Sequence, residues 1–258
     1  MSYFIVTGAS SGIGEAMCEV LAKQGYNLII VARRVNRLEQ IKSMIESKYG
    51  CEVVVMGIDL SNLNHLKQLY QNCQNYHVIG LINNAGYGLY GEFLELSIED
   101  EFNMIDLNIK SVHYLSKMFL RHFIVQNEGY LLNVASTAAF QSGPLMARYY
   151  ASKGYVLQLT EAINKEIEVK KSKVVVSVLC PGPVDTEFQK KADIKLAKSL
   201  LKVPTAEEVA EYAYQQLMKE KTLIVPTLSN RVLIFINRFL PRKVGCHIVY
   251  QTQLKKKV

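Results

Sequence analysis

The sequence predicts one α/β domain: a doubly wound parallel sheet of about seven strands with helices on both faces. Short runs rich in Val, Ile and Leu alternate with longer amphipathic segments along most of the 258 residues. That alternation implies right-handed βαβ units, whose strands are covered on both sides and so read as continuous apolar runs. No internal repeat and no linker rich in Pro, Gly or Ser divides the chain.

Taken in order, the strands are expected near residues 4–6, 28–31, 53–58, 78–82, 131–134, 174–179 and 223–225. Amphipathic helical segments are expected near 15–24, 37–47, 99–126 and 148–168. Thr205, with Glu208 three residues on, forms a capping box that opens a further helix. Residues 190–202 form a Lys-rich excursion after the sixth strand. Ligands of open α/β sheets bind outside the strands' C-terminal ends, so this excursion is placed to be a substrate lid, with a solvated loop as the plain alternative.

Composition excludes several classes. The chain is 49% apolar and 21% charged, an ordinary globular balance that excludes disorder. Its five cysteines, Cys18, Cys51, Cys73, Cys180 and Cys246, are odd in number and never spaced as CxxC. Neither a disulfide framework nor a zinc site is expected, and a reducing cytoplasm is the expected location. The chain runs from Met1 straight into a strand, with no secretion signal expected. The apolar run 232–236 is broken by Asn237 and Arg238, far short of the ~20 residues of a spanning helix. The net charge of +7 is local: residues 221–258 hold eight basic residues and no acidic one, leaving 22 basic and 23 acidic residues in 1–220. Nucleic acid is not an expected partner, because this basic tail lacks interleaved aromatics on a stacking surface.

Directly after the first strand stands Thr7-Gly8-Ala9-Ser10-Ser11-Gly12-Ile13-Gly14, leading into a helix. Glycines here permit a tight turn and close backbone approach to a pyrophosphate, and the helix N-terminus offers free N–H groups. Gly8, Ser10, Ser11, Gly12, Ile13 and Gly14 are therefore candidate dinucleotide ligands on a Rossmann-type domain. The second strand ends at Arg33-Arg34, and no acid lies between Glu19 and Glu39. A carboxylate there would bind a ribose 2′-hydroxyl, whereas a guanidinium holds a 2′-phosphate through paired charge-assisted hydrogen bonds. NADP is thus favoured over NAD, with Arg33 carrying more of the preference than Arg34. Asp59 is placed to accept from the adenine amino group. Asn83, Ala85 and Gly86, after the fourth strand, share the same sheet edge and line the cofactor's path.

Tyr149 and Lys153 are four apart on one helix face. A phenol titrates near 10, too high for an efficient acid or base at neutral pH. An ammonium ~4 Å away at an effective dielectric of ~20 contributes ~4 kcal/mol, enough to bring the phenol near ~7. Such a pair also occurs by chance on amphipathic helices, as packing plus a snorkelling lysine.

The full set is more specific: TGASSGIG at 7–14, NNAG at 83–86, Asn108, Ser136, Tyr149-Tyr150-Ala151-Ser152-Lys153, and Pro181-Gly182-Pro183-Val184 before Thr186. In order and spacing it resembles the classical short-chain dehydrogenase/reductase family over residues 3 to about 225. The resemblance implies that Tyr149 is the general acid or base and that Lys153 lowers its pKa and holds the nicotinamide ribose. It further implies that Ser136 bonds the substrate oxygen and Asn108 a proton-relaying water. Pro181, Gly182, Val184 and Thr186 complete the implied cofactor set, no metal is expected, and a homodimer or homotetramer is the implied assembly. The paired arginines and the tail from Thr227 to Arg242 look like a bacterial subgroup of NADP-dependent reductases.

Residues 1–226 thus form the expected catalytic domain and 227–258 a basic, partly amphipathic extension packed on it. Segments expected near the nicotinamide, 87–94, 137–141, 144–146 and 183–184, carry Glu92 as their single charge. An apolar ketone or aldehyde, interconverted with its alcohol, suits them best. A 3-oxoacyl chain is the alternative substrate, and a non-catalytic NADP-binding sensor the alternative class. In the tail, Ser229 is expected to cap a helix running to Leu240. Its wide apolar surface calls for a cover: a second subunit, the edge of the pocket, or weak peripheral contact with an anionic membrane.

Overall fold

The computed structural model describes residues 2–187 and 203–255. Seven strands stand at the expected places: β1 Tyr3–Thr7, β2 Asn27–Ala32, β3 Val53–Gly57, β4 Val78–Asn83, β5 Gly129–Val134, β6 Val174–Leu179 and β7 Leu223–Ile224. All neighbouring pairs are parallel, in the order β3-β2-β1-β4-β5-β6-β7. The helices are α1 Gly12–Lys23, α2 Val35–Tyr49, α3 Leu63–Cys73, α4 Ile98–Ile105, α5 Val112–Gln126, α6 Ala147–Val169, α7 Ala206–Met218, α8 Leu228–Asn237 and α9 Arg242–Leu254.

Period-two alternation divides the core. Phe4, Val6, Leu28 and Ile30 face α1, α2 and α7, where they meet Met17, Leu21, Leu38, Ile41, Val209 and Leu217. Their neighbours Tyr3, Ile5, Ile29 and Val31 face the other layer, with Leu66, Leu69, Phe119, Phe123 and Ile167. Every residue of β1, β2 and β4 is buried, as the apolar runs require. From β1 the chain winds outward to β3, then returns to the other side of β1 through β4. The C-terminal ends of β1 and β4 therefore border a switch point, where open α/β sheets bind ligands.

Local chemistry explains the departures from expectation. The helical stretch 99–126 is interrupted by a π-helical turn, Asp106–Ser111, a distortion that commonly marks functional positions. Helices α3 and α9 lie outside the segments named above; α3 is opened by Asn62, whose side chain accepts from the Asn64 and His65 amides. The Thr205 capping box is present. The tail helix is capped by Thr227 rather than Ser229, because the Thr227 hydroxyl accepts from the Asn230 amide, and it stops at Asn237 rather than Leu240. The excursion 190–202 and Lys256 and Lys257 lie outside the described residues.

Candidate active site

The ends of β1, β2, β4, β5 and β6 open into one cavity of about 1090 Å³. Its floor at one end is the glycine loop. Gly8 has φ +65°, a left-handed conformation that a side chain would strain. A Cβ on Gly14 would lie 2.4 Å from the Gly8 carbonyl oxygen, so Gly14 lets α1 pack against the loop. Ser11, the N-cap of α1, makes no side-chain capping bond, so α1 presents its first amide donors without a side-chain acceptor. Such a donor set fits an anionic pyrophosphate. Gly8, Ser10, Ser11, Gly12 and Ile13 line the cavity, whereas Gly14 acts behind it.

Arg33 and Arg34 also line this end. Arg34 donates to the Ser10 carbonyl at 3.0 Å and from Nε to its hydroxyl at 3.2 Å, and pairs with Glu187 at 3.0 Å. Asp59 accepts from the Ser61 amide and hydroxyl at 3.0 and 2.8 Å. Burial opposes its ionisation, yet these bonds and the Arg33 charge hold its carboxyl below the usual value.

Ala85 and Gly86 line the cavity, but Asn83 does not. Asn83 is buried as the last residue of β4 and donates to Asn133 Oδ1 at 2.9 Å and to Ser116 Oγ at 3.2 Å. The wall position falls to Asn84, whose amide donates to the Thr7 and Gly8 carbonyls at 3.0 and 3.3 Å. Asn108, fully buried on the π turn, donates to the Tyr87 carbonyl at 2.8 Å and accepts from the Tyr87 amide at 3.1 Å. It also donates to Ser152 Oγ at 3.1 Å, so it braces the wall from behind rather than lining it. Pro181, Gly182, Val184 and Thr186, from the loop after β6, also line the cavity, and Thr186 lies against Gly12 of the glycine loop.

Ser136, Tyr149 and Lys153 converge on this cavity. Ser136 follows β5 and accepts from the Ala138 amide at 3.1 Å. Lys153 donates to the Val134 carbonyl at 2.8 Å, and its Nζ lies 5.9 Å from the Tyr149 ring centre. Burial pushes the Tyr149 phenol up to about 12, while a hydrogen bond from Ser136 works the other way. Burial likewise pulls Lys153 down to about 8. The expected fall of the phenol towards neutrality is therefore corrected: desolvation raises it, and the Lys153 ammonium is turned to a backbone carbonyl.

Of the segments expected around the reacting end, Tyr87, Thr137, Ala138, Gln141, Met146 and Pro183 line the cavity. Glu92, Pro144 and Leu145 border a separate pocket of about 320 Å³ with Arg148 and Tyr250. Asp100 adds an unexpected charge to the main cavity. The tail adds uncharged polar groups: Thr227, Ser229 and Asn230 at α8, and Thr252 and Gln253 on α9. Gln253 donates to the Tyr150 hydroxyl at 2.7 Å across 103 residues of sequence, a pairing with no sequence pattern to reveal it.

The family model for short chain dehydrogenases matches residues 2–197. The chain belongs to the short-chain dehydrogenase family of oxidoreductases. A very-long-chain 3-oxoacyl-CoA reductase of Danio rerio is 29% identical over 233 residues, covering 89% of this chain and 71% of the relative. A short-chain dehydrogenase from Sphingobium yanoikuyae, solved with NADPH, superposes with a TM-score of 0.83 at 25% identity, over 92% of this chain and 93% of that one. A family member from Burkholderia phymatum, solved with NAD, gives 0.82 at 25% identity, over 91% and 92%. No helix among the described residues is long and apolar enough to cross a membrane.

Proposed function

We propose that this chain is an NADP(H)-dependent reductase that interconverts an apolar ketone or aldehyde with its alcohol. The observation that carries the reading is one cavity with Ser136, Tyr149 and Lys153 at one end and the glycine loop with Arg33 and Arg34 at the other. The first turn of α1 would hold the pyrophosphate, the two arginines the 2′-phosphate, and Lys153 the nicotinamide ribose. The nicotinamide supplies or accepts the hydride.

The chain's own part is proton placement. The Tyr149 hydroxyl, a phenol protonated at neutral pH whose pKa burial raises further, donates its proton to the oxygen formed as a carbonyl is reduced. Ser136 donates a hydrogen bond to that same oxygen. Lys153 is half-charged near pH 8 by burial; its ammonium favours the phenolate left behind. Asn108 and Ser152 hold the wall beside Tyr87 while this happens.

Apolar side chains at the reacting end, Ala138, Met146 and Leu233 among them, favour an apolar carbonyl compound. A 3-oxoacyl chain is the version suggested by the Danio rerio relative. A cytoplasmic homo-oligomer remains the expected form, and a non-catalytic sensor would lack turnover altogether. Titration with NADPH and NADH, followed by nicotinamide absorbance with lipophilic ketones, aldehydes and 3-oxoacyl thioesters, tests the reading. Tighter NADPH binding and turnover of an apolar carbonyl are expected. Equal affinity for NADH overturns the cofactor assignment, and absence of turnover the enzymatic one.

A further inference from the structure

Helix α8 turns its polar side to the protein and its apolar side outward. The inward row is Asn230, Ile234 and Asn237. Asn237 donates to the Phe140 carbonyl at 2.9 Å, and Ile234 packs beside Val225. At about 100° per residue the opposite side carries Leu228, Val232, Phe235 and Ile236, with Phe239 continuing the row beyond the helix. These five are 72%, 47%, 59%, 49% and 74% exposed, and no residue of α8 is buried. A surface helix ordinarily points its apolar stripe at the core, so this reversed stripe marks an interaction surface.

Charge decides the partner. Arg238 directly after α8, Arg242 and Lys243 at the start of α9, and Lys255 at its end are exposed, and residues 221–258 contain no acid to balance them. Arg231 is engaged by the Val225 carbonyl and the Tyr212 ring. A second copy meeting this face about a two-fold axis would place the same cations against each other. An anionic bilayer offsets the cations and takes the Phe and Leu side chains into its interface.

We infer that the outward face of α8, with the basic residues flanking α8 and α9, docks this chain in the plane of an anionic bilayer. The same helices border the cavity through Ser229, Asn230, Leu233 and Thr252. An apolar substrate then enters from the lipid side; that last step rests on the proposed reductase reading, whereas docking does not.

The test is co-sedimentation of the full chain with vesicles of phosphatidylcholine alone or with about one third phosphatidylglycerol. Binding to the anionic vesicles is expected at low salt and is lost near roughly half-molar salt, where screening shortens to a few ångströms. Phe235→Ser with Phe239→Ser, and separately Arg238→Glu with Lys243→Glu, should each weaken binding by roughly tenfold or more. None of the four lines the cavity, so NADPH affinity and turnover of a water-soluble ketone in vesicle-free buffer serve as the folding control. No binding of the wild type to anionic vesicles at low salt overturns docking. So does dissociation of an oligomer by the Phe pair with vesicle binding unchanged, which assigns the face to a second copy. Vesicle binding without turnover of any carbonyl supports docking and removes only the reductase reading.

Discussion

Arg34 clamps Ser10: its guanidinium donates to both the carbonyl and the hydroxyl of that residue, at 3.0 and 3.2 Å, and so ties the end of β2 to the glycine loop. Arg33 lines the same cavity next to Asp59 without that anchoring bond to Ser10. The two arginines should therefore separate by mutation. Arg33→Glu is expected to move the NADPH-to-NADH preference by at least roughly tenfold, about 1.4 kcal/mol. Arg34→Ala should shift that preference less, while weakening both cofactors by loosening the loop. Fluorescence titration of each variant with each cofactor checks this; a selective loss of NADPH in Arg34→Ala alone would exchange the assignments.

Tyr149→Phe keeps the half-buried ring and removes the proton. Turnover should fall by roughly 10²–10⁴-fold, the usual worth of a positioned acid, with NADPH affinity nearly unchanged. More than a few per cent residual activity would remove Tyr149 from the proton-transfer role.

Lys153 should stabilise function at a cost to the fold. Its folded pKa, about 8, lies below the ordinary 10.5. The unfolded chain therefore holds more protons between these values, and stability rises with pH across that window. Tyr149, raised from 10 to about 12, acts in the opposite sense only above pH 10. Lys153→Met is thus expected to lose turnover yet unfold at higher temperature at pH 7, and to lose the rise between pH 8 and 10. A lower melting temperature at pH 7 would show that the bond to Val134 outweighs desolvation.

Arg148 and Glu101 form an ion pair whose side chains are 5% and 7% exposed. Arg148 Nε and Nη2 have no hydrogen-bond partner among the described residues, so the carboxylate is the guanidinium's main compensation, with the Phe93 ring 5.7 Å away. Glu101→Leu should cost about 3–5 kcal/mol, and Glu101→Leu with Arg148→Leu much less. Urea unfolding of both variants measures the difference; equal losses would deny the pair its role.

Much was legible from local pattern alone. The seven apolar runs, the glycine loop opening α1, the arginines after β2 and the Tyr149–Lys153 spacing are all encoded within a few residues, because strand and helix periods are short-range properties. Their order also placed them at one sheet edge. Tertiary structure decided what depends on surroundings. Whether Asn83 or Asn84 meets the cavity turns on which way the end of β4 faces. The π turn that seats Asn108 has no sequence period, and Gln253 reaches Tyr150 across 103 residues. The Tyr149 pKa follows from desolvation by the surrounding protein, which a count of one neighbouring charge omits. Periodicity identified the apolar side of α8, but only the packing of Asn237 and Ile234 against the body turned that side outward, since amphipathicity fixes a helix's faces and its neighbours fix their direction.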